Sequence, residues 1–239
     1  MDRPVTRSFE ILECLARARQ PIRLSDVAAA TGLQKSTVHR ILGTLCALGH
    51  ARQDDSGRYG PTLRAWELGA GVVSAMPIYQ VASGYLQALH RATSETVSLT
   101  ILSGDDVLYL EKIVAARPVR FHTRVGSRAP APLTASGKAM LAFRPDARSI
   151  ADRLAAVRDL DVPALMTELS QVRQRGYALS GYSPGVTSIG AAVAAGGAPP
   201  SAALSISAPT DRLTARKREA FVEALLETRA RMTEALDQT

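Results

Sequence analysis

The chain has 239 residues, 46% hydrophobic and 21% charged, with a formal net charge of 29 − 22 = +7. This excludes a disordered or fibrous chain and leaves room for a small domain beside a larger one. Two cysteines exclude a disulfide-built scaffold, and no uninterrupted apolar run has membrane-spanning length, since the longest charge-free stretch, residues 176–210, is broken by Gly and Pro.

Phe9, Leu12, Leu15 and Ala16 recur at helical spacing and predict a first helix. Residues 24–50 then read as a short helix, a turn at Gly32 and a second helix with a polar face, the pattern of a helix-turn-helix that reads duplex DNA. At about 100° per residue from Ser36, Val38, Ile41, Leu42, Leu45 and Leu48 gather on one side. Ser36, Arg40, Gly43, Thr44 and Ala47 gather on the other. The first set must be buried. The second offers hydroxyls and a guanidinium to base edges and phosphates. No acidic residue occurs from Val27 to Gln53, whereas Lys35, Arg40 and Arg52 do. Such a run avoids repelling phosphates and gains from counterion release. The expected DNA contacts are Ser36, Thr37, Arg40 and Thr44 in the major groove, with Gln34 and Lys35 at the helix start. Ser25 and His39 complete that set. Residues 51–59 predict two short strands around Gly57, a wing that carries Arg58. Residues 1–60 hold nine basic and six acidic side chains, so +3 of the net charge lies there. Cys14 and Cys46 fall on apolar or helical positions and are expected to be buried free thiols of a reducing compartment.

Thr62 opens a predicted connecting helix through Leu63, Trp66, Leu68, Val72 and Val73, stopped by Pro77. The expected division is therefore a DNA module over 1–61, a linker over 62–77 and a second domain over 78–239. Residues 78–90 continue a helical stripe. Val97, Leu99 and Ile101 alternate with Thr96, Ser98 and Thr100, which predicts a half-buried strand, and 107–113 its hairpin partner. A third strand is expected over 119–125, helices over 135–143, 149–157 and 163–175, strands over 177–180, 187–193 and 202–207, and a closing helix over 213–236. Strands and helices mix in an α+β domain.

Two motifs invite an enzymatic reading and fail. Gly181–Gly185 matches the Gly-x-Ser-x-Gly nucleophile elbow, but the following residues read as a strand, and all four histidines lie upstream. Gly137-Lys138 lacks the first glycine and the hydroxyl of a P-loop. His39, Cys46 and His50 have no metal-ligand spacing. No cofactor, metal or catalytic residue is expected.

Across nearly its whole length the chain resembles the IclR family of bacterial transcriptional regulators. The resemblance rests on Gly32-Leu33, Lys35-Ser36-Thr37, Arg40, Leu42, Thr44-Leu45 and Gly49 in the DNA module. In the second domain it rests on Glu95-Thr96-Val97, Gly104, Tyr109, Gly126, the run Thr134 to Ala139, Leu141-Ala142, Arg175-Gly176-Tyr177, Gly185-Val186 and Ser205 to Pro209. It implies a winged helix-turn-helix joined by a helix to a GAF-like effector domain, binding operator DNA in the cytoplasm as a dimer or dimer of dimers. It also places the effector near Ala135 and Ser136, with Gly137 on the same turn, and near Ser188, Ser205 and Ser207. Free N–H groups of Ser136 and Gly137 at a helix start would suit an anion or carbonyl, and a small carboxylate is the expected effector. Departures are Pro132 where a polar residue is usual, Pro61-Thr62 at the start of the linker, and an uncharged Ser180–Gly185 segment where acids are common. The competing expectation is a constitutive DNA-binding protein whose second domain only oligomerises.

Overall fold

The computed structural model describes residues 2–115, 123–194 and 196–238, in two compact units, Met1–Ser74 and Ala75–Thr239. In the first, helices α1 (Arg3–Arg17), α2 (Leu24–Thr31) and α3 (Lys35–Ala47) precede a hairpin of β1 (Ala51–Gln53) and β2 (Tyr59–Pro61), then α4 (Arg64–Ser74). Asp26 fixes the start of α2 by accepting the Arg23 backbone N–H at 3.1 Å, and its charge suits the positive helix end. Gly32 ends α2 in the left-handed region, φ 69°, where a Cβ would be strained. Ile11, Leu15, Val27, Val38, Leu42 and Tyr59 form the core of this unit.

Two details of the predicted stripes change. On α1 the inward residues are Ile11 and Leu15 with Leu12 half-buried, whereas Phe9 is 62% exposed and Ala16 is exposed. On α3 the buried stripe ends at Leu45, and Leu48 caps the helix with its side chain in solvent. Cys14 and Cys46 are free but only half-buried, and burial pushes both thiols above their usual range.

The second unit opens with α5 (Pro77–Thr93), β3 (Thr96–Ser103), β4 (Asp106–Ile113) and the short β5 (Arg128–Pro130). It continues through α6 (Ala135–Leu141), α7 (Ala147–Ala155) and α8 (Val162–Arg175), then β6 (Ala178–Ser180), β7 (Val186–Val193), β8 (Ala202–Pro209) and α9 (Ala215–Asp237). Pro77 both ends the preceding helical run and opens α5, where its missing N–H costs nothing. The strands form one antiparallel sheet in the order β5-β4-β3-β8-β7-β6.

Side-chain alternation divides the sheet between two apolar layers. Val97, Leu99, Ile189, Leu204 and Ile206 are fully buried on the side that meets α5 and α9. Val107, Tyr109, Ala192 and Ala203 share the core of α6, α7 and α8. Because β3 is central and covered on both faces, Thr96, Ser98 and Thr100 are buried too, at 4%, 1% and 0% exposure. The half-buried strand read from its alternation is therefore buried on both faces over residues 96–100, with a polar row. The third strand expected over 119–125 falls largely outside the described residues, and Thr123–Val125 form no strand. The strand that does pair with β4 is β5, too short for a periodic signal.

Candidate functional site

The candidate DNA-reading face lies on α3. Burial of Val38, Ile41, Leu42 and Leu45 leaves Gln34, Lys35, Ser36, His39, Arg40, Gly43 and Thr44 exposed, with Thr37 half-buried. Thr44 donates its hydroxyl to the Arg40 carbonyl at 3.1 Å, which fixes its rotamer and leaves its lone pairs outward. Ser25 is exposed at the start of α2, where its hydroxyl donates to Asp26 at 3.3 Å. The hairpin forms as expected, with Arg52 opposite Gly60 and Gln53 opposite Tyr59. Asp54 organises its turn, accepting from the Ser56 and Arg58 backbones at 3.0 and 2.9 Å and from the Ser56 hydroxyl at 2.7 Å. Those bonds, the Ser56 hydroxyl first, hold the Asp54 carboxyl below its ordinary range. Gly57 supplies the left-handed residue, φ 75°, and Arg58 is exposed beside it. Ile22 bridges Tyr59, so the wing is pinned to the helical bundle.

In the second unit, Ala135, Ser136, Ser188, Ser205 and Ser207 come together around one cavity. β7 and β8 set three of them side by side, since Ser188 lies directly opposite Ser207 and their hydroxyls bond at 2.8 Å. Gly190, the next β7 position on that face, lets α6 press onto the sheet: a Cβ there would sit 2.5 Å from the Ala135 carbonyl carbon. Gly137 does not line the cavity. Its N–H is used by the Thr134 hydroxyl at 3.1 Å, and a Cβ would fall 2.2 Å from the Ala131 carbonyl oxygen. Sequence reading took that N–H as free for a ligand; the Thr134 cap consumes it, and the glycine is there for close packing.

Five further residues complete the wall, Thr134 at the start of α6 among them. Tyr109 reaches in from β4, buried so deeply that its phenol is pushed up to about 12 despite a Thr123 hydrogen bond that lowers it. Ser180, Tyr182 and Ser183 come from the end of β6 and the loop after it. The Ser180 hydroxyl donates to the Leu133 carbonyl at 2.5 Å and accepts the Tyr182 backbone N–H at 3.1 Å. Sequence reading missed these because the uncharged loop stands there as a departure from the family pattern, and Tyr109 only as a position that carries the resemblance. Among the described residues the lining carries hydroxyls and no ionised group. The segment after Ser183 is strand β7, so no nucleophile elbow forms.

Residues 4–55 match the model of the IclR helix-turn-helix domain, and residues 70–233 match that of the bacterial transcriptional regulator IclR C-terminal domain. The chain belongs to the IclR family. It is similar to SauR of Cupriavidus necator, 33% identical over 92% of this chain and 91% of that one. It is also similar to the HTH-type transcriptional regulator KdgR of Escherichia coli, 32% identical over 97% and 91% of the two chains. The crystal structure of an IclR homolog from Microbacterium hydrocarbonoxydans, complexed with 4-hydroxybenzoate, has the same fold, with a TM-score of 0.86 at 24% identity over 99% of this chain and all of that one. The protein is thus an IclR-type DNA-binding transcriptional regulator with a mixed α+β architecture, an N-terminal helix-turn-helix and a C-terminal antiparallel sheet with helices. Among the described residues no helix is long and apolar enough to cross a membrane.

Proposed function

We propose that the protein binds a specific operator through α3 and the wing, and that a small molecule in the hydroxyl-lined cavity sets its affinity for that operator. The observation that carries the reading is the exposed, acid-free face of α3 set against its buried apolar stripe. Ser36, Thr37, Arg40 and Thr44 enter the major groove, Gln34, Lys35, Ser25 and His39 flank them, and Arg58 reaches the neighbouring backbone. Residues 1–61 form the DNA module, 62–77 the connection and 78–239 the effector domain.

In the cavity, Ser188, Ser205 and Ser207 supply hydroxyls, and Ser136, with Ala135 beside it on the α6 turn, receives the ligand's head. With no ionised group lining the cavity among the described residues, a small carboxylate is held by neutral donors, and the polar row of the sheet favours a hydroxylated one. Val5, Phe9, Trp66, Leu68 and Val72 of α1 and α4 are apolar side chains exposed on the small unit. Burial of such side chains against a second copy makes the homodimer, or a dimer of dimers, the DNA-binding form. The effector acts by preferring one of two arrangements, since a ligand bound equally by both shifts nothing.

The test is a gel-shift titration on the sequence upstream of neighbouring operons, run with the parent and Arg40→Ala. A loss of about 5- to 150-fold in operator affinity is expected for one lost base contact. Unchanged affinity overturns the assignment of α3. Calorimetry with small carboxylates, 4-hydroxybenzoate included because a structural neighbour holds it, tests the cavity. Operator binding indifferent to every ligand favours the constitutive, oligomerising alternative.

A further inference from the structure

The cavity between α6 and the β7–β8 serines has about 20 Å³ of free space, room for little more than a water molecule. An organic acid does not fit without moving a wall. Most walls are strand and helix: Ser136, Ser205 and Ser207 are at most 6% exposed. Tyr182 differs. It is 42% exposed and sits on the loop between β6 and β7, with a glycine before it and Gly185 beyond it. Ser180 and Tyr182 also line a second cavity of about 360 Å³. Its charged groups are Lys138, Asp161 and Glu168. Lys138 donates to Glu168 at 2.7 Å, tying α6 to α8, and Asp161 caps α8 through the Ala164 N–H at 2.9 Å.

We infer that Tyr182 is the movable wall of the effector site, and that the outer cavity beside the Lys138–Glu168 pair is both the way in and a second subsite. Swinging Tyr182 outward joins the two volumes into one of metabolite size. The joined site has a neutral, hydroxyl-lined inner end and an outer end where two carboxylates face one ammonium. The ligand it suits carries its acid group inside and a neutral, hydroxylated or basic group outside; a second carboxylate at the outer end meets net negative charge. This builds on the effector reading above, and its test needs no effector.

In full-length protein, Ser205→Cys places a thiol in the inner cavity while leaving the Ser188–Ser207 hydrogen bond in place. Its reaction is followed with the neutral dithiodipyridine and the dianionic dithiobis(nitrobenzoate), with the rates of Cys14 and Cys46 subtracted from the chain lacking the added cysteine. Adding Tyr182→Ala speeds both reagents by about tenfold or more, because the local opening step is removed. Tyr182→Phe, which keeps the ring, leaves them slow. Glu168→Gln raises the anionic-to-neutral rate ratio by about twofold to fivefold, as the outer cavity loses a charge. Equal rates in Tyr182→Ala and Tyr182→Phe overturn the movable wall, and an unchanged ratio in Glu168→Gln overturns the outer route. If both effects appear while calorimetry finds no carboxylate bound, the gate stands and the effector reading falls.

Discussion

Gly190→Ala is the sharpest perturbation this fold offers, because one methyl group would land between two pieces of backbone. Its Cβ would lie 2.5 Å from the Ala135 carbonyl carbon, 2.6 Å from the Ser136 nitrogen and 2.7 Å from the Ala135 oxygen. Ordinary contact begins near 3.4 Å, so α6 must retreat from β7 by close to 1 Å. No flexible side chain can yield instead, and the Ser180–Leu133 and Ser188–Ser207 hydrogen bonds hold the cavity walls at this spacing. Overpacking of this kind costs about 1–3 kcal/mol, with the upper end expected where only backbone is displaced. For a chain of this size that is a fall of about 2–12 °C in melting temperature, with the upper half expected, measured by circular dichroism. Gly84→Ala is the control: its site on α5 is open, and alanine is the better helix former, so the melting temperature holds or rises slightly. A Gly190→Ala protein melting within a degree of the parent would refute the close contact between α6 and the sheet, and with it the shape of the cavity.

Other outcomes follow from the same geometry. Burial depresses the Lys112 ammonium from 10.5 to about 8. The folded state therefore binds that proton less well than the unfolded chain, and the resulting stability is fully present above about pH 10.5 and lost as pH falls through about 8. Lys112→Met removes this slope, read as the difference from the parent in urea midpoints across that window; an identical pH profile contradicts it. Asp54→Ala frees the wing turn, so amide exchange at Ser56 and Arg58 speeds up and operator affinity falls; unchanged exchange there rules out the Asp54 cap. Arg58→Ala lowers the slope of log affinity against log salt by about 1 while leaving sequence preference intact, and an unaltered slope argues against a phosphate contact. Trp66→Lys replaces an exposed apolar side chain of α4 with a charge, so sedimentation velocity should show the proposed dimer weakened; an unchanged distribution sinks that interface.

The DNA module was legible in the sequence because its information is local. A helix that buries one stripe and exposes the other writes both in a 3.6-residue period, and Val38, Ile41, Leu42 and Leu45 lie inside as that period requires. Gly32 and Gly57 mark turns whose positive φ belongs to the residue itself. The ends of stripes were less legible: Phe9 and Leu48 fit the apolar period yet face solvent, since which turn of a helix meets a neighbour is a property of the neighbour.

The effector domain divides differently. The sequence determined a strand over 202–207 and a helix from 135, because alternation and helical periodicity act over a few residues; the strand runs on to Pro209. Only the tertiary structure decided that Tyr109, Ser136, Ser180 and Ser207, separated by up to 98 positions (109 to 207), wall one cavity. It also decided that Thr96, Ser98 and Thr100 are buried rather than half-exposed, and that Gly137 serves packing and not a ligand. The reason is physical: strand order β5-β4-β3-β8-β7-β6 is set by pairings between distant segments, and no local period encodes which strand becomes central.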